Sequence, residues 1–117
     1  PIYDDPLFIV HTLWRLYGGW YDGNPAHLKP AAEIDLARAL AGLAGGAGAL
    51  ARRAEALCAD SELAVACELA EFAWQADPED SRVREIRAAV YRERAARETS
   101  LMAKGIFNAA ARESDEN

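Results

Sequence analysis

The sequence predicts an all-α fold: a helical bundle of about five to six helices containing one antiparallel hairpin of the tetratricopeptide (TPR) kind. Three observations carry that expectation. Apolar residues recur at helical spacing in successive alanine-rich segments. No run alternates apolar and polar residues over a useful strand length. The breaks between segments fall at Gly-Gly, Asp-Ser and Asp-Pro steps, the chemistry of helix ends and starts.

The first helix is expected from Asp5-Pro6, because Asp can cap and Pro fits the first turn. "LFIVHTLWRLY" then aligns Leu7, Val10, Trp14 and Tyr17 on one face, and Gly18-Gly19 ends it. After a turn-rich loop, Pro30 is expected to open a second helix, "AAEIDLARALAGLAGG". Ile34, Ala37 or Arg38, Ala41 and a Leu36, Leu40, Leu43 ridge should face inward there, with Gly45-Gly46 closing it.

A third helix spans about Ala47 to Ala59 and carries Leu50, Ala54 and Leu57. Asp60-Ser61 is the expected cap of a fourth, with a ridge of Leu63, Ala66, Cys67, Ala70 and Trp74. Asp77-Pro78 is the expected cap of a fifth, where Glu79 and Asp80 suit the positive end of the dipole. Its apolar stripe is Val83, Ile86, Val90 and Tyr91. Thr99-Ser100 begins a last helix bearing Leu101, Met102, Ile106 and Phe107, and "ESDEN" reads as a frayed tail.

Ala66, Ala73 and Pro78 stand at the spacings of the small residues and closing proline of a TPR hairpin. Small residues let antiparallel helices approach closely, and the Asp-Pro step turns the chain. Only about one and a half repeats fit, so a hairpin packed into a bundle is expected rather than a solenoid.

A chain of 117 residues is one domain by length and can bury a real core. Its 51% hydrophobic and 27% charged residues are globular rather than disordered composition. The net charge of −6 argues against nucleic acid or an anionic membrane surface as partner. No apolar run approaches the roughly 18–20 residues of a membrane span. The opening "PIYDDPLFIV" lacks both a basic signal-like region and an initiator Met, so a piece of a longer protein or a processed product is expected.

Cys58 and Cys67 are expected to be core thiols, since no CxxC or His-x-x-x-His spacing makes a metal site and two cysteines make no disulfide scaffold. His11 and His27 have no ligand-spaced partners and are expected to be structural or solvent-exposed. The Arg/Glu series from Arg82 to Glu98, with Glu93–Arg97 at i, i+4, reads as a solvated helix face. No nucleophile elbow, P-loop or HExxH motif appears, so no catalytic residue, metal or cofactor is expected in this chain itself.

The segment "YGGWYDGNPAHLKP" is richer than a turn requires. Trp20 and Tyr21 are adjacent, so their side chains diverge, and Asp22 and Asn24 are residues that bond backbone in turns. Two readings stand. Either Trp20 plugs the bundle while Asp22 and Asn24 build an Asx turn, or the loop presents Tyr21 or Asn24 to something outside the domain.

"WRLYGGWYDGNPAHLKPA" closely resembles the entry segment of the alkyl sulfatase dimerisation domain, the helical middle module of alkyl sulfatases built on a metallo-β-lactamase fold. "ELAVACELAEFAWQADPED" and "ETSLMAKGIF" resemble the rest of that family, so the likeness covers nearly the whole chain. The resemblance implies a preceding catalytic domain holding two zinc ions through a His-x-His-x-Asp-His motif, and a following sterol-carrier-like domain. Neither is in this sequence. Residues 1–117 would then be the dimerisation module alone, metal-free and catalytically inert, of a zinc hydrolase cleaving sulfate esters such as long-chain alkyl sulfates.

The resemblance also suggests that the loop at 18–25 lies against the module's own catalytic domain, at the mouth of its pocket. Tyr21 would donate to the sulfate or leaving oxygen, with Trp20 beside it and Asn24 and Asp22 holding the loop. As a homodimer, the protein would pair through apolar stripes on its first and last helices, Leu7, Trp14, Leu101, Ile106 and Phe107. The alternative is a TPR-like adaptor for another protein, which usually needs more repeats than this chain has.

Overall fold

The computed structural model describes residues 22–115. The expected first helix with Leu7, His11 and Trp14, and the pair Trp20 and Tyr21, lie outside the described residues. The chain divides between Ala32 and Glu33 into two units. In the first, the described residues form a short 3-10 turn, Pro25–His27. In the second, five helices follow: α1 (Glu33–Ala44), α2 (Ala47–Ala59), α3 (Leu63–Ala76), α4 (Ser81–Ala96) and α5 (Leu101–Asp115). No strand occurs among the described residues, as an all-α pattern requires.

Within the helical unit α3 is central, packing on α1, α2 and α4, while α2 also packs on α1 and α4. α5 runs against α4 and approaches no other described helix closely. The core is mostly alanine: Ala37, Ala51, Ala54, Ala66, Ala70, Ala73, Ala88 and Ala111 are buried, with Leu50, Val83, Ile86 and Val90 as the larger members. Small side chains at the contacts let helix backbones approach closely, and burying each larger aliphatic side chain contributes roughly 1.5–3 kcal/mol.

Several helix ends differ from expectation, each for a local reason. The Gly45-Gly46 end of α1 is not one of them: Gly45 stands in the left-handed region (φ 98°), where the Gly46 N–H donates to Ala41 O and the Gly45 N–H to Gly42 O, the closure the sequence predicts. The same pair of bonds ends α2: Glu62 N–H to Leu57 O (2.9 Å) and Ser61 N–H to Cys58 O (3.0 Å), with Ser61 at φ 65°. Asp60-Ser61 thus stops α2 rather than capping α3, whose N-cap Glu62 makes no side-chain bond.

Asp77 likewise closes α3, its N–H donating to Ala73 O at 3.0 Å. Pro78 holds the preceding residue extended (Asp77 φ −149°, ψ 82°), so the next helix cannot begin there. The cap of α4 is Asp80, whose Oδ1 accepts from the Arg82 N–H (2.9 Å) and the Val83 N–H (3.2 Å). α1 begins at Glu33, three residues beyond Pro30. α5 starts as expected, with Ser100 Oγ accepting from the Ala103 N–H.

The expected inward Leu36, Leu40, Leu43 ridge is a shoulder instead. Ala37 and Ala41 hold the centre of the buried face, Leu40 is half-buried beside them, and Leu43 is 86% exposed. Leu36 and Leu43 sit about 100° round the helix from Ala37, beyond the contact. Nor is "ESDEN" frayed through its first three residues: α5 continues to Asp115 and Ser114 is buried.

Candidate functional site

The turn of the first unit is built by its own side chains. Asp22 Oδ1 accepts from the Asn24 N–H (2.9 Å), and Asn24 Oδ1 from the Ala26 N–H (3.0 Å), with Pro25 at the first turn position. Gly23 lies between them at φ 87°, a left-handed conformation that favours glycine. His27 Nδ1 lies 2.6 Å from Asp22 Oδ2 and closes the turn. The Asn24 N–H first, and His27 next, hold the Asp22 carboxyl below its ordinary value. Asp22, Asn24 and His27 are all exposed.

The last helix presents two faces of different character. Phe107 is half-buried, stacked on Tyr91 with ring centroids 6.1 Å apart and with the Arg94 guanidinium 5.1 Å from its own ring. Ala111 and Ser114 continue that packed face. Leu101 (85% exposed), Met102 (78%) and Ile106 (62%) lie on the opposite side, together with exposed Gly105 and Ala109. Of the expected interface residues within the described range, Leu101 and Ile106 are therefore open, and Phe107 is engaged within its own chain.

Between α3, α4 and α5 lies a polar cluster that the helical pattern did not foretell. Arg87, 3% exposed, donates from Nε and Nη2 to the two oxygens of Glu71 at 2.8 and 3.1 Å. Its Nη1 donates to Ala110 O (3.0 Å) and Ser114 Oγ (2.7 Å), and Glu113 lies 3.2 Å from Nη2. The guanidinium stands 4.0 Å from the Trp74 ring centroid and 5.1 Å from that of Tyr91. Tyr91 OH donates to Glu71 at 2.9 Å.

Burial opposes the Arg87 charge, and the Glu71 carboxylate outweighs it, leaving Arg87 above its ordinary value. Burial first, then the charge of Glu71, pushes the Tyr91 phenol upward. One residue of the expected solvated Arg/Glu face is thus a buried tie between three helices. The signal was present: Arg87 falls on the Val83–Val90 stripe at i+4 and i−3, where an apolar residue is expected. Glu93–Arg97 does pair on the surface, at 2.7 Å.

Both cysteines are free, Cys67 buried and Cys58 half-buried, and burial pushes each thiol up. Cys58 lines an open groove of about 370 Å³ with Glu55, Ala89, Glu93 and Arg97. Among the described residues no three of His, Cys, Asp and Glu converge on a common point. No single described helix is long and apolar enough to cross a membrane.

A family model described as alkyl sulfatase dimerisation matches residues 1–117. Among solved structures, the chain resembles a double mutant of the sec-alkyl sulfatase PisA1, with a TM-score of 0.77 and 24% sequence identity. That match covers 87% of this chain and 16% of the other, so the chain spans a small part of that protein's length. At this identity the likeness is one of fold. A search of curated proteins found no match.

Proposed function

The chain belongs to the alkyl sulfatase dimerisation family, and from that premise we propose that it pairs two copies of a larger, zinc-dependent sulfuric-ester hydrolase. The observation that carries this reading is the open apolar side of α5, where Leu101, Met102 and Ile106 stand in solvent. A second copy would bury them about a twofold axis, the commonest symmetry of soluble oligomers.

In this reading catalysis belongs to the parent's catalytic domain, and the dimerisation module is inert by itself. The described residues do not fit a zinc ion: no ligand set converges, and both thiols are held toward their protonated form. The loop at 18–25 would face the parent's pocket, with Asp22 and Asn24 fixing the turn and Tyr21 donating to the sulfate or leaving oxygen. Trp20 would flank it. A peptide-binding adaptor would use the groove by Cys58, but Arg97 there is already engaged by Glu93 and Ser61.

Light scattering of the 117-residue chain over a range of concentrations tests the pairing. A mass of two chains supports it, and one chain at every concentration rejects it. In the full-length enzyme Tyr21→Phe should lower kcat, whereas unchanged kcat and KM would make Tyr21 a structural residue.

A further inference from the structure

Gly105 is unexplained by its own chain. It sits inside α5, where glycine is a poor helix former, and its backbone needs no left-handed conformation. A Cβ built there meets nothing within 4 Å. Neither dihedral nor packing among the described residues calls for glycine, so close approach by something beyond them is the remaining physical use for it.

Resting on the pairing reading above, we infer that α5 crosses the α5 of a second copy in antiparallel fashion with Gly105 at the crossing point. Leu101, Met102, Gly105, Ile106 and Ala109 follow one another at i, i+1, i+4, i+5 and i+8, so they form one continuous apolar face. That face is self-complementary about Gly105. Leu101 lies four residues before it and Ala109 four residues after, so an antiparallel crossing sets each Leu101 over the small Ala109 of the other copy. Gly105 against Gly105 lets the two backbones approach at the axis, and Ile106 and Met102 flank it.

The charges agree with the same register. Glu98, one oxygen of which accepts from the Thr99 and Ser100 N–H groups at 3.0 Å, lies in the segment just before α5, at its N-terminal end. Arg112, exposed and without an ion-pair partner among the described residues, stands seven residues after Gly105. Antiparallel pairing brings each Glu98 toward the other copy's Arg112 and opposes the two helix dipoles. Glu113 and Asp115, also at that end, are already paired with Arg87 and Arg92.

The test compares the wild-type chain with Gly105→Leu and Ile106→Glu by light scattering and sedimentation, with thermal unfolding alongside. Gly105→Leu has room within its own chain and is a better helix former, so the fold should be kept while dimer dissociation rises at least about tenfold. Ile106→Glu should weaken pairing by a similar factor. In a Cys58→Ser, Cys67→Ser background, Gly105→Cys should form a disulfide-linked dimer, because the axis brings the two Cα atoms within about 7 Å.

A wild-type dimer indifferent to both substitutions and giving no cross-link would overturn the crossing while leaving the pairing reading intact. A wild-type chain that stays monomeric would overturn both. If Gly105→Leu destabilised the fold without changing the mass, another part of the same chain covers this face, and the crossing is wrong.

Discussion

Arg87 of α4 and Glu71 of α3 form a two-point ion pair, Nε to Oε2 at 2.8 Å and Nη2 to Oε1 at 3.1 Å, with the guanidinium 3% exposed. Glu71 keeps partial contact with water, and Arg87 spends its remaining donor on the last helix. One side chain therefore fixes three helices. Replacing Arg87 by Ala takes one donor from the Ala110 carbonyl and from Ser114 Oγ, and leaves the Glu71 carboxylate with the Tyr91 hydroxyl but without its counter-charge. We expect a loss of about 3 kcal/mol in urea unfolding. In a double-mutant cycle with Glu71→Gln the coupling should reach at least about 1 kcal/mol. Additive losses would show that the two residues act independently.

The end of α5 should behave as structure rather than as a tail. Ser114→Ala removes one acceptor from Arg87 and should cost about 1 kcal/mol. Deleting residues 113–117 should cost more, since the Arg87–Glu113 and Arg92–Asp115 ion pairs go as well. A truncated chain with unchanged denaturation midpoint would restore the frayed-tail expectation.

The two aspartates of the Asp77-Pro78-Glu79-Asp80 turn should separate cleanly. Asp80→Ala removes the cap of α4, bonded to two N–H groups, and should cost about 1 kcal/mol. Asp77→Ala, whose side chain makes no cap bond, should stay within about 0.5 kcal/mol. Equal effects at both positions would contradict this placement of the helix start.

Alkaline pH should loosen the fold through the raised acids. Tyr91 and Cys67 have folded-state pKa values above their unfolded ones, so the native state holds those protons more tightly. Their contribution is complete below the unfolded pKa, about 8.5 for Cys and about 10 for Tyr, and declines as pH rises beyond each. Tyr91→Phe should flatten the fall above about pH 10, at a neutral-pH cost of about 1 kcal/mol for the bond to Glu71. An unchanged slope in stability against pH would remove Tyr91 from this account.

The alanine core sets a further contrast. Ala73 is fully buried on α3, and Ala73→Leu should destabilise by roughly 1–3 kcal/mol through overpacking. Leu43→Ala, at an exposed position, should change chain stability by no more than about 0.5 kcal/mol. The reverse ranking, read from urea midpoints, would return the leucine ridge to the core.

The amino-acid sequence by itself determined the five described helices and where most of the breaks between them fall. Apolar spacing, the Gly45-Gly46 step and Ser100 act within a few residues, so local chemistry suffices for them. It also carried the family, through the motif from Trp14 to Ala31 and the segments that follow. What tertiary structure alone decided is which face of each helix is covered. Leu36 and Leu43 have the spacing of a core ridge, yet alanine contacts draw the helices together on the Ala37–Ala41 side and leave those leucines outside. Arg87 has the composition of a solvated face, yet Glu71, Trp74 and Ser114 converge on it from neighbouring helices, 16, 13 and 27 residues away along the chain. Helical periodicity fixes the angle between side chains on one helix, whereas the direction of the core is set by partners distant in sequence.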